Sequence, residues 1–225
     1  MKKKTFHSET AYIAGLFFIA LSVALIQKSN FGVSMVVAPA YIIHLYTGIS
    51  FGTAEYLLQG LIILIMIGIL RKFRISYILS FVTAVIYGFI LDGLIYIVGY
   101  IPSEELWQRI VLFIIGEQFC CMGVATVFRT YLPPESYEMI VKELSEHFGW
   151  NMGRCKWSYD LISCGVSIIM SFIFFGKWRF DIVGVGTVVC AAVNGYFIGR
   201  YSKLLDKLFN FKDALPWRTF FTGEK

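Results

Sequence analysis

Charge is what this sequence has least of. Only 16% of its 225 residues are Asp, Glu, Lys or Arg, while 57% are hydrophobic, and the mean hydropathy is +0.68. A water-soluble domain carries about 25% charged residues, so the deficit argues for a chain solvated mostly by lipid. Histidine is scarce (three residues), and no His/Cys cluster has metal-ligand spacing, so neither a metal site nor a cofactor is expected. The cysteines number five, an odd count. Cys120, Cys121, Cys164 and Cys190 lie inside apolar runs, which excludes a disulfide framework and leaves them as small buried hydrophobes. Also missing are Gly-x-Ser-x-Gly, His-Glu-x-x-His, a phosphate loop and paired aspartates on facing helices. No catalytic residues are assigned, and an enzyme is not expected.

What the chain does have is long apolar runs at membrane length. They cover residues 11–26, 54–70, 76–98, 110–127, 158–175 and 182–198, and each is read as a transmembrane helix. The first follows a basic start, Met1-Lys2-Lys3-Lys4, as a signal peptide would. It lacks a small-x-small cleavage site, and it has a partner in the second half. Two further segments are different. Residues 31–46 are apolar but interrupted by Gly32 and Pro39, which suits a re-entrant or surface-lying helix. Residues 133–148 carry Tyr137, Ile140, Val141, Leu144 and Phe148 on one face, with Lys142, Glu143 and Glu146 away from it. From Tyr201 on, lysines alternate with Leu204, Leu208 and Phe211 in the manner of an interfacial amphipathic helix.

The basic residues orient these spans. With the N-terminus inside, 16 of the 20 lysines and arginines fall on inner segments. The four outer ones are Lys28, Arg109, Lys177 and Arg179. A bias of this size sets the orientation, with six spans and both ends cytoplasmic. The net charge of +5 is thereby a topology signal, and nucleic acid is not an expected partner.

One stretch occurs twice. Thr47-Gly48-Ile49-Ser50-Phe51-Gly52-Thr53 is matched by Phe148-Gly149-Trp150-Asn151-Met152-Gly153-Arg154, 101 residues later. Gly48 and Gly149 are placed to end one helix, and Gly52 and Gly153 to permit the turn into the next. Ala84 to Phe89 also matches Ala191 to Tyr196. The chain therefore reads as a tandem duplication, with chance similarity between apolar segments as the competitor. Residues 1–108 form the first repeat, 109–200 the second, and 201–225 the cytoplasmic tail. Three spans per repeat is an odd number, so the halves have opposite orientation. The fold class is an all-α integral membrane protein in a 3+3 inverted-topology repeat, with a broken or amphipathic segment between the first and second spans of each half. Secondary transporters are built in this way.

Phe31-Gly32-Val33 through Pro39, the first glycine stretch, Pro133-Pro134-Glu135-Ser136-Tyr137-Glu138 and Gly184-Val185-Gly186-Thr187 resemble the YczE/YitT family of bacterial membrane proteins. The resemblance spans nearly the whole chain and implies a bacterial multi-pass inner-membrane protein, with no settled activity to carry over. Relatives tend to have an acidic residue two places after the first proline, where this chain has Tyr41.

Polar residues inside spans are costly and need a reason. Glu117, with Gln118 beside it, is midway along the fourth span. It reads as a proton- or cation-coupling carboxylate, or else as a protonated acid bonded to a neighbouring helix. Asp92 lies two-thirds along the third span, nearer the outer face, and reads either as a pathway acid or as a hydrated acid near the helix end. Gln59, Asp160 and Asn194 sit at repeat-related places, although Asp160 could simply pair with Lys156. Glu55 is read as interfacial. The helix starts around Gly48, Gly52 and Thr53, around Gly149 and Gly153, and around Gly186 and Thr187 could offer backbone amides to an anion or let helices pack closely. The reading of function is a small-solute permease or channel-like transporter. The alternatives are a membrane-embedded substrate-capture subunit and a non-transporting scaffold or accessory protein. Expected partners are the lipid bilayer and an unknown small solute or ion, with a homo-oligomer or a partner subunit also open.

Overall fold

The computed structural model describes residues 4–214. Eight helices run between two short strands: β1 (Lys4–His7), α1 (Ser8–Ser29), α2 (Ala38–Thr47), α3 (Phe51–Leu70), α4 (Ile75–Gly99), α5 (Leu106–Val127), α6 (Ser136–Phe148), α7 (Met152–Phe175), α8 (Val185–Leu208) and β2 (Phe209–Lys212). Among the described residues, prolines stand only outside the long helices or at the start of α2, so none breaks their hydrogen-bond ladders. Five helices are long and apolar enough to cross a membrane: Ser8–Ser29, Phe51–Leu70, Ile75–Gly99, Leu106–Val127 and Gly153–Phe175. At 1.5 Å per residue, about 20 residues span the hydrocarbon layer. Their outer faces are apolar too, with Leu64, Phe89, Ile114, Ile162 and Ile173 largely exposed. A continuous surface of this kind belongs against lipid, and the chain has the build of a multi-pass membrane protein. α8 equals these helices in length, but Asn194, Arg200, Lys203 and Asp206 dilute its apolar character.

The duplicated stretch forms the same local structure twice. Gly48 (φ 76°) and Gly149 (φ 67°) close α2 and α6 in the left-handed conformation, which costs L-residues energy and glycine little. Ser50 and Asn151 then cap α3 and α7 by accepting from Thr53 N and Arg154 N. Gly52 and Gly153 lie within the first helical turn, and not in the connecting turn where their spacing placed them.

Tertiary contacts recur with the same spacing. α1 and α5 pack along their length through small residues that let the backbones approach. A Cβ on Gly15 would lie 2.6 Å from Val127 Cγ2 and 3.1 Å from Gly123 O. A Cβ on Gly116, 101 residues later, would lie 2.8 Å from Ile26 Cγ1 and 3.2 Å from Ser22 O. Val127 and Gly123 stand 101 residues after Ile26 and Ser22. Thr187 Oγ1 donates to Val33 O at 2.7 Å, and Ser80 Oγ to Pro134 O at 2.8 Å. The acceptors are again 101 residues apart, and the donors differ by the 107 that aligns Ala84 with Ala191. α1–α4 has its counterpart in α5–α8, α2–α3 in α6–α7, and α2–α7 in α3–α6. The main departure is α3–α4, a close pair whose counterpart α7–α8 makes no comparable contact.

The connections sort onto two ends. At one end β1 pairs in parallel with β2, Tyr131 OH donates to Glu9, and Arg74 joins Glu143 at 2.8 Å. At the other, Lys28 reaches Gly99 O, Arg109 holds Ser29 O and Asn30 O, and Gly186 N donates to Phe31 O. Glu143 is therefore drawn inward by Arg74 and by Tyr77 OH (2.9 Å), although its position in the sequence put it on the solvent face of α6. The expected tail helix is also different: residues 201–208 continue α8 and 209–212 form β2. Residues 215–225, the rest of that expectation, lie outside the described ones.

Arg129 fastens the first of these ends. Its guanidinium binds both Asp206 oxygens at 2.7 and 2.6 Å, Ser202 O at 2.5 Å and Ala125 O at 2.9 Å. Asp206 is well exposed, so the ion pair itself contributes modestly, but the two carbonyls would lose a charged donor. Arg129→Ala is expected to destabilise the protein by about 2 kcal/mol. A thermal melt in detergent checks this, and Arg129→Lys should recover only part because lysine lacks the planar fork.

Candidate functional site

Two small cavities flank the α1–α5 seam. The first has a volume of about 20 Å³ and is lined by Ser22, Ser34, Glu117, Cys120, Cys190 and Asn194 among others. Glu117 is 4% exposed, because Gly116 brings α1 against this turn of α5. Its Oε2 accepts from Cys190 Sγ at 3.0 Å, and its Oε1 lies 3.8 Å from Cys121 Sγ. Cys121 Sγ also lies 3.3 Å from Asn194 Oδ1 and has one proton to give. Thiols are weak donors, so the carboxyl is poorly served for a buried polar group. Ser22 Oγ, on the same wall, has no hydrogen-bond partner. The cavity has room for one water, with polar partners to hold it.

The second cavity, of about 50 Å³, is lined by Ile19, Val124, Val127, Phe128, Pro134, Glu135 and Glu138. Five of these stand 101 residues after a residue of the first: Val124, Val127, Pro134, Glu135 and Glu138 match Val23, Ile26, Val33, Ser34 and Val37. Ile19 and Cys120 correspond in the reverse sense. The carboxyls lie at different places in the two, Glu117 on α5 in one and Glu135 and Glu138 around the start of α6 in the other.

Behind the second cavity lies a buried polar cluster. Glu55 is fully buried on α3, and its Oε1 accepts from Tyr137 OH at 2.9 Å. One turn along, Gln59 Nε2 donates to Glu135 Oε2 at 3.4 Å, and Gln59 Oε1 accepts from Ser136 N at 3.2 Å. Burial, then the neighbouring Glu138 and Glu55 charges, push the Glu135 carboxyl well above the usual carboxylate range. Lys156 Nζ stands 3.7 Å from Glu138 and 3.4 Å from Asp160.

The candidates from sequence thus separate. Glu117 and Asn194 share one cavity, and Gln59 belongs with Glu135 in the other cluster. Gln118 accepts from Tyr201 OH at 2.9 Å, a contact between α5 and α8. Asp160 takes its plain alternative, the pair with Lys156. Asp92 is a clamp: it accepts from Ser50 Oγ at 2.5 Å and from Gly52 N at 2.7 Å. It thereby occupies the start of α3 as an internal anion, beside Thr53, whose hydroxyl is bound by Ser50. At α8, Gly186 N is taken by Phe31 O and Gly184 N by Thr187 Oγ1. Neither start offers these amides to a ligand. Gly153, at the start of α7, has only Asn151 Oδ1 near its Cβ position.

The profile of a family of unknown function, DUF6198, matches residues 6–203. The chain belongs to this family. No curated protein and no solved structure matches it. The DUF6198 description carries no name that links it to the YczE/YitT resemblance, and it does not conflict with it.

In this DUF6198 chain one residue of the buried cluster that sequence reasoning misplaced is Glu55, expected at the interface and found fully buried. A signal was present: Glu55 and Gln59 are four apart, on one face of α3. Glu135 precedes the first residue of α6 and is brought to that face only by the packing of α6 on α3.

Proposed function

We propose that this protein is a bacterial inner-membrane permease built as a 3+3 inverted repeat, moving a small solute or ion and not acting as an enzyme. The observation that carries this reading is the pair of cavities lined by matched residues on either side of the α1–α5 seam. Matched contacts between the halves are what a pseudo-two-fold axis in the membrane plane generates. The reading counts α8 as the sixth span. Support comes from β1 and β2, which pair at one end of the bundle: ends on one side require an even number of crossings. The end with β1, Arg74 and Arg129 is the cytoplasmic one in this reading, from the charge bias.

The asymmetry between the halves fits alternating access. α3 and α4 are closed on each other, and α7 and α8 are not. The opposite state would close α7 on α8 and release α3 from α4. Both cavities are water-sized, which suits an ion or a very small solute.

The test is reconstitution of the full chain in proteoliposomes, following fluorescent reporters of internal pH and membrane potential under imposed cation gradients. Flux above that of protein-free vesicles is expected, and its absence for protons and all monovalent cations would sink the ion-permease reading. Topology reporters fused at Asn30 and Glu146 should give opposite sidedness. Shared sidedness would overturn the inverted repeat. The exposed apolar faces of α7 and α8 favour a second reading, a subunit whose partner packs there. Co-purification of a stoichiometric partner with no intrinsic flux would select it.

A further inference from the structure

The cluster at the start of α6 holds more oxygen than its hydrogen bonds use. Glu55 Oε2, Glu135 Oε1 and Ser136 Oγ are all buried without a hydrogen-bond partner. Their residues are 0%, 8% and 1% exposed. The three are gathered by bonds already described: Tyr137 holds the other oxygen of Glu55, and Gln59 holds both the other oxygen of Glu135 and the backbone of Ser136. We propose that Glu55, Glu135 and Ser136, with Gln59 as scaffold, bind a dehydrated monovalent cation of sodium size.

Three physical points choose this ligand. The unpartnered atoms are all oxygens, the donor set of hard cations. The surrounding charge is negative: among the described residues, the basic group that faces Glu55, Glu135, Glu138 and Asp160 is Lys156, which is engaged by Glu138 and Asp160. Buried carboxylates lacking a counter-charge need one, or a proton. Two carboxylates match a singly charged ion whose second negative charge is relieved by the α6 N-terminus, at which Glu135 is the capping residue. Among the described residues no group of three or more His, Cys, Asp or Glu side chains converges, so a transition-metal ligand set is not assembled. Glu135 also lines the second cavity, which supplies the approach. This deepens the permease reading by naming its coupling ion, and binding tests it without transport.

The experiment uses the purified full chain in detergent at neutral pH. Binding of ²²Na⁺ and thermal melts are measured in sodium chloride and in choline chloride at equal ionic strength. The expected result is about one sodium bound per chain and a higher melting temperature in sodium. Glu135→Gln should abolish both effects. Ser136→Ala, whose hydroxyl has no partner to lose, should fold normally and weaken sodium binding about tenfold. If Glu135→Gln fails to fold, Ser136→Ala decides. The proposal is overturned if the wild type binds no sodium, if only added acid and not sodium stabilises it, or if Ser136→Ala binds sodium as the wild type does. Vesicle flux without sodium binding would remove this site and leave the permease reading standing, and sodium binding without any flux would do the reverse.

Discussion

Alanine at Gly52 is expected to lower the melting temperature of the purified protein by on the order of 10 °C, and alanine at Gly153 to leave it nearly unchanged. The two glycines occupy the same place in the two halves, so sequence alone expects the same answer from both. In the structure a Cβ on Gly52 would overlap the backbone carbonyl of Gly88 and crowd the Asp92 carboxyl. Backbone cannot swing aside as a side chain can. The start of α3 would have to lift from α4, with loss of the Gly52 N–Asp92 bond, at a cost of about 3 kcal/mol. A shift of that size moves Tm by several degrees per unit of energy lost. Gly153 meets no such neighbour, and Gly195, the counterpart of Gly88, has nothing within 4 Å of its Cβ position. Equal destabilisation by the two substitutions would mean that α7 and α8 are closed in solution. If alternating access holds, Gly153→Ala should spare stability yet slow flux, because the state that closes α7 on α8 would need the same bare backbone.

Glu117→Gln is expected to leave the fold intact and to remove the pH dependence of flux. The amide keeps the shape and a hydrogen-bonding oxygen for Cys190, so packing of α1, α5 and α8 around it changes little. What disappears is a carboxyl group able to gain and lose a proton, which the coupling role requires. Flux measured in proteoliposomes between acid and alkaline conditions should therefore become flat. The melting temperature should match that of the wild type within a degree or two. An unchanged pH profile in a folded Glu117→Gln protein would assign Glu117 a structural role, bonded to its cysteines, and move the coupling function to the Glu55–Glu135 cluster. Glu117 lines the first cavity and Glu135 the second, so the two variants probe the two cavities separately.

The local structure was readable because its causes are local. The first five apolar runs became helices within about six residues of their expected limits, since a run of about 20 apolar residues without proline has one way to satisfy its backbone in lipid; the sixth runs on to Leu208, ten residues past its expected end. The stops at Gly48 and Gly149 were legible from the demand for a positive φ; the caps at Ser50 and Asn151 came from the structure. The spacing of 101 residues, visible in the glycine frame, reappears in the Gly15–Val127 and Gly116–Ile26 contacts.

Long-range relations were not readable. Glu55 looked interfacial because its depth depends on α6 lying across α3. Asp92 looked like a pathway acid because its partner, the α3 start, is 40 residues away. Glu143 turned inward for Arg74, 69 residues distant. Gln59, at a repeat-related place in the sequence, bonds Glu135, 76 residues away. The tail could not be foreseen as a strand, since β2 exists only where β1 meets it. The sequence by itself determined the apolar helices, the stops at Gly48 and Gly149 and the glycine frame that recurs after 101 residues, all of which rest on composition and on neighbours a few residues apart. The tertiary structure decided which polar groups share a cavity, which oxygens are left without partners, and that α3 packs on α4 while α7 and α8 make no comparable contact. Those outcomes depend on which helix faces meet, and each face is a sum of contacts with segments some forty to a hundred or more residues away.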